Sequence, residues 1–211
     1  MRNTSVKSSK TVVGWTNFIR NVMTKERIMR PKIGGVGKRV QIDESLFRGK
    51  RKYNRGRLLL GDFDVENEAD RGLRRSNYGT RINGPWIFGM VEEDTNEMFM
   101  FYVEKRDAAT LLPLIVEHVE PGTTIVSDGW RAYLNIISLG FFHEVVKHEE
   151  NFIDPITGAN TQRIECGWGQ AKLLIMKLKR GTTLGLLQSH LDEFVFRKRH
   201  GENVFVAWLR I

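Results

Sequence analysis

Cysteine is almost absent from this chain. Cys166 is the only one in 211 residues, which excludes an internal disulfide and any zinc site built from several thiolates. The first 38 residues contain neither Cys nor His, so no thiolate or imidazole metal site stands there. No run approaches the roughly 18 continuous apolar residues of a membrane span, and the polar start Met1-Arg2-Asn3-Thr4 lacks the apolar core of a signal peptide. Acidic charge is in deficit: 25 Asp and Glu face 33 Lys and Arg, a formal charge of +8 with a pI near 9.7. These absences predict a soluble protein of a reduced intracellular compartment, with no membrane partner. Its basic balance favours a polyanion, nucleic acid first.

What is present predicts one main α/β domain with a small appendage. Residues 1–38 mix Ser, Thr, Lys and Arg with Val12, Val13, Trp15, Phe18, Ile19, Val22 and Met23, a basic N-terminal arm with one short amphipathic helix. The run from Arg39 to Phe47 predicts a strand. Trp86 to Val91 and Met98 to Val103 are aromatic-rich apolar runs separated by Glu92-Glu93-Asp94-Thr95-Asn96, the pattern of a β-hairpin. Between them, residues 62–83 are polar without a lasting period, a surface loop or insert.

From Asp107 to Val119 the apolar residues Leu111, Leu112, Ile115 and Val119 recur at helical spacing, with Asp107 as N-cap. Pro113 predicts a kink or a late start. Thr123 to Ser127 predicts a fourth strand ending at Asp128, Trp130 to Leu139 a helix, and Phe142 to Lys147 a fifth strand. A longer helix follows over Gln162 to Leu178. The last, Leu184 to Arg199, carries a stripe of Leu187, Leu191, Phe194 and Val195, and residues 200–211 form a tail.

Three strands, a helix, a fourth strand, a helix, a fifth strand and further helices is the chain order of the ribonuclease H-like fold. The expected architecture is a mixed five-stranded sheet with helices on both faces, its first and fourth strands parallel neighbours joined by a helical crossover. Asp43 and Asp128 would then stand side by side, with Glu165 reaching them from a helix laid across the sheet. Three carboxylates so gathered can hold two divalent ions, Mg²⁺ or Mn²⁺, for phosphodiester chemistry. Lys172 lies seven positions beyond Glu165, about 700° round a helix, and shares its face.

Other residues have two readings each. Lys50, Arg51, Lys52, Arg55 and Arg57, with Arg48, form either a phosphate-binding edge or a solvated turn. His148 is a second-shell group for the metals or a hydrogen-bonded structural residue. Gln162, three positions before Glu165, is a DNA contact or a second-shell donor. Trp130 and Tyr133 either stack on an unpaired base or, the preferred reading, pack the helix after Asp128. Strand alternation turns Glu44 away from Asp43's face. Cys166 is expected to be buried.

Five segments share a pattern: Ile42-Asp43-Glu44-Ser45, Lys50-Arg51-Lys52-Tyr53-Asn54-Arg55-Gly56-Arg57, Trp86-Ile87-Phe88-Gly89, Ser127-Asp128-Gly129-Trp130, and Gly158-Ala159-Asn160-Thr161-Gln162-Arg163-Ile164-Glu165. In this order and spacing they resemble the DDE transposases of Merlin-type DNA transposons and their bacterial insertion-sequence relatives with an ISXO2-like transposase domain. The resemblance implies a catalytic domain over 39–199, with Asp43, Asp128 and Glu165 as metal-binding triad and Lys172 positioning DNA. It implies hydrolysis at transposon ends and attack of the freed 3′-hydroxyl on target DNA. The partners it implies are double-stranded DNA and a second copy of the chain, in the nucleus of a eukaryote or the cytoplasm otherwise. Two other readings stand beside it: a catalytically inactive, transposase-derived DNA-binding protein, and a structure-selective nuclease of the same fold.

Overall fold

The computed structural model describes residues 8–47, 84–146, 160–179 and 181–211. The basic residues Lys50, Arg51, Lys52, Arg55 and Arg57, the 62–83 insert and His148 lie outside these described residues.

The strands are β1 (Ile33–Gly34), β2 (Arg39–Leu46), β3 (Trp86–Glu92), β4 (Met98–Val103), β5 (Val119–Glu120), β6 (Thr124–Asp128) and β7 (Phe142–Val146). Five of them make one sheet in the order β4-β3-β2-β6-β7. β3 runs antiparallel to both β2 and β4, while β2 pairs with β6 and β6 with β7 in parallel. The parallel pairing of first and fourth main strands is the one expected from the chain order. The turn between β3 and β4 closes with Asn96 at φ 59°, a left-handed conformation that Asn tolerates better than most residues. β1 and β5, two residues each, pair with each other and stand apart from the main sheet.

Alternation along the central strands divides the core between two faces. On one, Ile42, Phe88, Met90, Phe99 and Phe101 pack against Leu111 and Ile115 of helix α2 (Ala108–His118) and against Tyr133 and Ile136. On the other, Ile87, Val91, Met98 and Met100 meet α3 (Gln162–Lys172) through Ile164, Trp168 and Ala171, and α4 (Leu184–His200) through Leu187, Leu191, Phe194 and Val195. The α4 stripe is the one the sequence marked. Asp107 caps α2 through Thr110 N–H, as its position predicted. Pro113 sits inside α2 on an exposed position, and the helix starts before it.

Four segments differ from their sequence reading. The N-terminal helix α1 (Ser9–Met29) is not short: it runs 21 residues and docks on α4. A basic residue of the expected arm finds an acid there, with Arg27 Nε 2.9 Å from the fully buried Asp192 carboxylate, and Met23 is 2% exposed. The segment after Asp128 is two 3₁₀ turns, Arg131–Tyr133 and Ile137–Leu139, and no α-helix. Its buried residues Tyr133 and Ile136 are three apart, the spacing that a three-residue turn stacks on one side. The long helix from Gln162 to Leu178 is present, but its last six residues, Leu173–Leu178, are π-helical. The C-terminal tail folds as a 3₁₀ turn and a short helix α5 (Val204–Leu209), with Trp208 edge-on to Phe18 of α1.

Packing of α3 on the sheet depends on one missing side chain. A Cβ at Gly89 would stand 2.5 Å from the Trp168 ring and 2.8 Å from Ile164 Cδ1. An isolated Gly in an apolar strand marks such a close approach. Gly169, in the interior of α3, has open space around it. Gly89→Ala is therefore expected to cost about 2–3 kcal/mol by overpacking, whereas Gly169→Ala gains roughly 0.5–1 kcal/mol from helix propensity. Urea denaturation of the two variants checks both signs.

Candidate active site

β2 alternates apolar and polar residues, and its polar side chains on the α3 face do two different jobs. Gln41 is fully buried, and its Oε1 accepts the backbone N–H groups of Arg163 (3.0 Å) and Ile164 (3.2 Å). These are first-turn donors that a helix cannot satisfy internally, so Gln41 caps α3 from across the sheet. Two residues on, Asp43 Oδ2 accepts the indole N–H of Trp168 at 2.8 Å. One strand thus fixes both the start of α3 and its rotation about its own axis.

The parallel ladder between β2 and β6 sets Arg39 against Thr124, Val40 against Ile125 and Gln41 against Val126, and ends there. Carried two residues further, the same register puts Asp43 level with Asp128. Beyond Gln41 the two strands part: β2 continues along β3 to Leu46, and β6 continues along β7 to Asp128. The two acids flank the mouth of this split, at the carboxyl ends of neighbouring parallel strands, where ligands of open α/β sheets gather.

Glu165 lies in the first turn of α3, exposed, and accepts Thr161 Oγ1–H at 3.0 Å. Asp128 is half-buried and its Oδ1 accepts the backbone N–H of Trp130 at 3.2 Å. Burial pushes the Asp43 carboxyl up to about 6, and the Asp128 and Glu165 carboxylates add repulsion, against hydrogen bonds from Trp168 and the Glu44 backbone. Lys172, half-buried at the other end of α3, has its pKa lowered by desolvation while Asp43 opposes the shift. Its Nζ stands 5.6 Å from the Phe47 ring centroid. Glu165 and Lys172 both lie on α3 and both act electrostatically on Asp43, with opposite signs. Among the described residues, however, no three His, Cys, Asp or Glu side chains approach closely enough to grip one ion. The three carboxylates are electrostatic neighbours and not a closed cage.

Glu44 points to the opposite face, as alternation required, and receives a hydrogen bond from Tyr133 Oη. Burial, then Asp43 and Asp128, push its carboxyl up to about 8, with Arg106 opposing. Tyr133 is fully buried, in agreement with a packing role, but Trp130 is 39% exposed. Cys166 is exposed rather than buried, because the helix turns it away from the sheet with Gln162 and Gln170. Gln162 is exposed on an open groove shared with Asn96, Arg163, Gln170, Lys198 and Arg199. Sequence reasoning missed Gln41, Gly89 and Trp168 as site-building residues. Signals for two of them were present: a lone Gly in an apolar strand, and a Trp at i+3 between Glu165 and Lys172 on one helical face.

A family model described as "ISXO2-like transposase domain" matches residues 34–199. No curated protein matches the chain. Among solved structures, a chain in the cryo-EM structure of a simian T-cell lymphotropic virus intasome in complex with PP2A regulatory subunit B56 gamma is similar at 12% identity and a TM-score of 0.45, covering 82% of this chain and 54% of that one. This chain spans about half the length of that relative.

The charge balance at Asp43 has a measurable consequence. A carboxyl whose pKa in the folded state is raised from 3.8 to about 6 holds its proton more tightly folded than unfolded, so stability falls as pH rises across that window. Asp43→Asn removes the charge and keeps an oxygen to accept from Trp168. The variant is expected to match the wild type below about pH 4 and to be more stable by roughly 1–3 kcal/mol above about pH 6.5. Thermal melts at several pH values check this.

Proposed function

Because this chain belongs to the family of ISXO2-like transposase domains, we propose that it is the catalytic domain of a DNA transposase with a ribonuclease H-like sheet. It cleaves the phosphodiester bond at transposon ends and joins the freed end to target DNA. The observation that supports this reading is the split between β2 and β6, where the strand register runs Asp43 level with Asp128 and Trp168 of α3 donates to Asp43.

The donor set fits hard divalent cations: three carboxylates, all oxygen donors, one of which burial, with smaller repulsion from the other two, has pushed up to about 6. Asp43, Asp128 and Glu165 would hold two Mg²⁺ or Mn²⁺ ions, which supply Lewis-acid activation of the attacking oxygen and stabilisation of the leaving one. The chain's own residues do the rest. Trp168 and Gln41 fix α3 against β2, so that Glu165 is presented at the split. Lys172 brings a cation beside Asp43, where it offsets phosphate charge and orients the strand. In the first step water attacks phosphorus, the P–O3′ bond breaks, and the departing oxygen takes up a proton as a 3′-hydroxyl. In the second step that hydroxyl loses its proton and attacks a target phosphorus, with a target 3′-oxygen leaving. Both steps exchange one P–O bond for another and need no covalent enzyme intermediate.

The finer kinship, with Merlin-type elements, belongs to the same proposal. So do action on double-stranded transposon ends and target, pairing of two ends by a homodimer, and location in a nucleus or bacterial cytoplasm. No helix among the described residues is long and apolar enough to cross a membrane. A second reading, a catalytically inactive DNA-binding descendant, draws on the open arrangement of the three carboxylates. Nicking of supercoiled DNA in Mn²⁺ separates the two: the transposase nicks, the descendant binds without cutting.

Asp43→Asn and Asp128→Asn are each expected to lower strand transfer by more than about a hundredfold, the scale on which metal sites lose activity when their support is removed, while DNA affinity stays near that of the wild type. Wild-type transfer by either variant rejects the assignment. Binding of DNA is expected to weaken linearly in log K against log salt, with a slope counting the phosphates neutralised. A flat response, read by fluorescence anisotropy, removes nucleic acid as the partner.

A further inference from the structure

Beside Asp128 stands an aromatic stack that the carboxylate chemistry does not use. Trp130 is fixed at two points: its backbone N–H donates to Asp128 Oδ1 at 3.2 Å, and its indole Nε1–H donates to the carbonyl of Arg106 at 3.1 Å. The Arg106 guanidinium lies 3.6 Å from the ring centroid of Trp86 and 5.0 Å from that of Trp130. A cation is thus held between two indoles at the edge of the acidic split. Core packing accounts for Tyr133, three residues on and fully buried, but not for Trp130, which remains 39% exposed. An indole held at both backbone and ring, backed by a cation and left open to solvent is a surface prepared for a flat ligand.

We propose that Trp130, backed by Arg106 and Trp86, is a binding platform for an unpaired nucleobase next to the phosphodiester handled at Asp43 and Asp128. The inference rests on the transposase reading above and adds to it a residue that holds the nucleotide flanking the cut. A phosphate drawn into a split between two strands pulls its nucleotide out of the duplex stack, and an indole beside the split replaces the stacking that is lost. The two hydrogen bonds hold the ring before the base arrives, so little side-chain freedom is lost on binding. Arg106 behind the indole adds positive charge near the backbone and a cation–π contribution to the stack. Because every base has a π-face, the platform is tolerant of sequence.

Fluorescence titration with 2-aminopurine DNA, with Ca²⁺ in place of Mg²⁺, tests this. The probes are a duplex with a single-stranded 3′ flap, 2-aminopurine at its first unpaired position, and the fully paired duplex of the same sequence. The wild type is expected to quench the flap probe and to bind it more tightly than the paired one. Trp130→Ala is expected to abolish the quenching and to lower flap affinity roughly tenfold, leaving paired-duplex affinity within about twofold; Trp130→Phe, which keeps a ring, retains most of the preference. A Trp130→Ala protein that quenches and discriminates like the wild type overturns the proposal, as does a Trp130→Phe protein that loses as much as the alanine variant. A wild type that binds both duplexes equally and without quenching sinks this inference alone. One that binds neither sinks the transposase reading with it.

Discussion

The hydrogen bond from Trp168 to Asp43, made across the bare surface of Gly89, is the contact on which the site depends. It joins the helix that bears Glu165 and Lys172 to the strand that bears Asp43. Strand register puts Gly89 directly opposite Asp43 on β3, so the large indole lies over the one position in the sheet where no side chain would stop it. The same strand caps the helix through Gln41. With its start and its rotation both fixed, α3 has no freedom to slide, and the acid on its first turn is presented at one place.

This arrangement is electrostatically costly. Asp43 is largely removed from water among other carboxylates, and its ionisation is held back as a result. Glu44 beneath it is held back further, chiefly by burial, and accepts a hydrogen bond from the Tyr133 hydroxyl. A protein selected only for stability would not gather these groups. Perturbed acids clustered at the open end of parallel strands are what a site for cationic ligands demands before its ligands arrive. The structural acids elsewhere are treated differently: Asp192 and Glu193 on α4 are met directly by Arg27 and by Lys179 and Arg197.

Much of this was legible in the sequence because it rests on short-range pattern. Aromatic and β-branched runs marked the main strands, Asp107 marked its cap, the apolar stripe marked α4, and the order of elements predicted the parallel pairing that brings Asp43 level with Asp128. What pattern could not show was long-range satisfaction. Gln41 reads as an ordinary polar residue until a helix N-terminus, more than a hundred residues later in the chain, is seen donating to it. The α1 helix read as a short amphipathic element because the acid that pairs with its Arg27 belongs to another helix. The segment after Asp128 gave helical spacing at Tyr133 and Ile136, and a three-residue turn satisfies the same spacing. Cys166 was misplaced because residue type alone cannot decide which side of a helix is covered.

The clamp between Arg27 and Asp192 joins a helix that precedes every strand of the sheet to one that follows them all. Vectorial emergence from the ribosome leaves α1 without its docking surface until α4 has been extruded. Its buried Met23 and the aliphatic stem of Arg20 must wait unprotected while the sheet assembles. The two helices can therefore close on each other only after every strand of the sheet between them in the chain has been made.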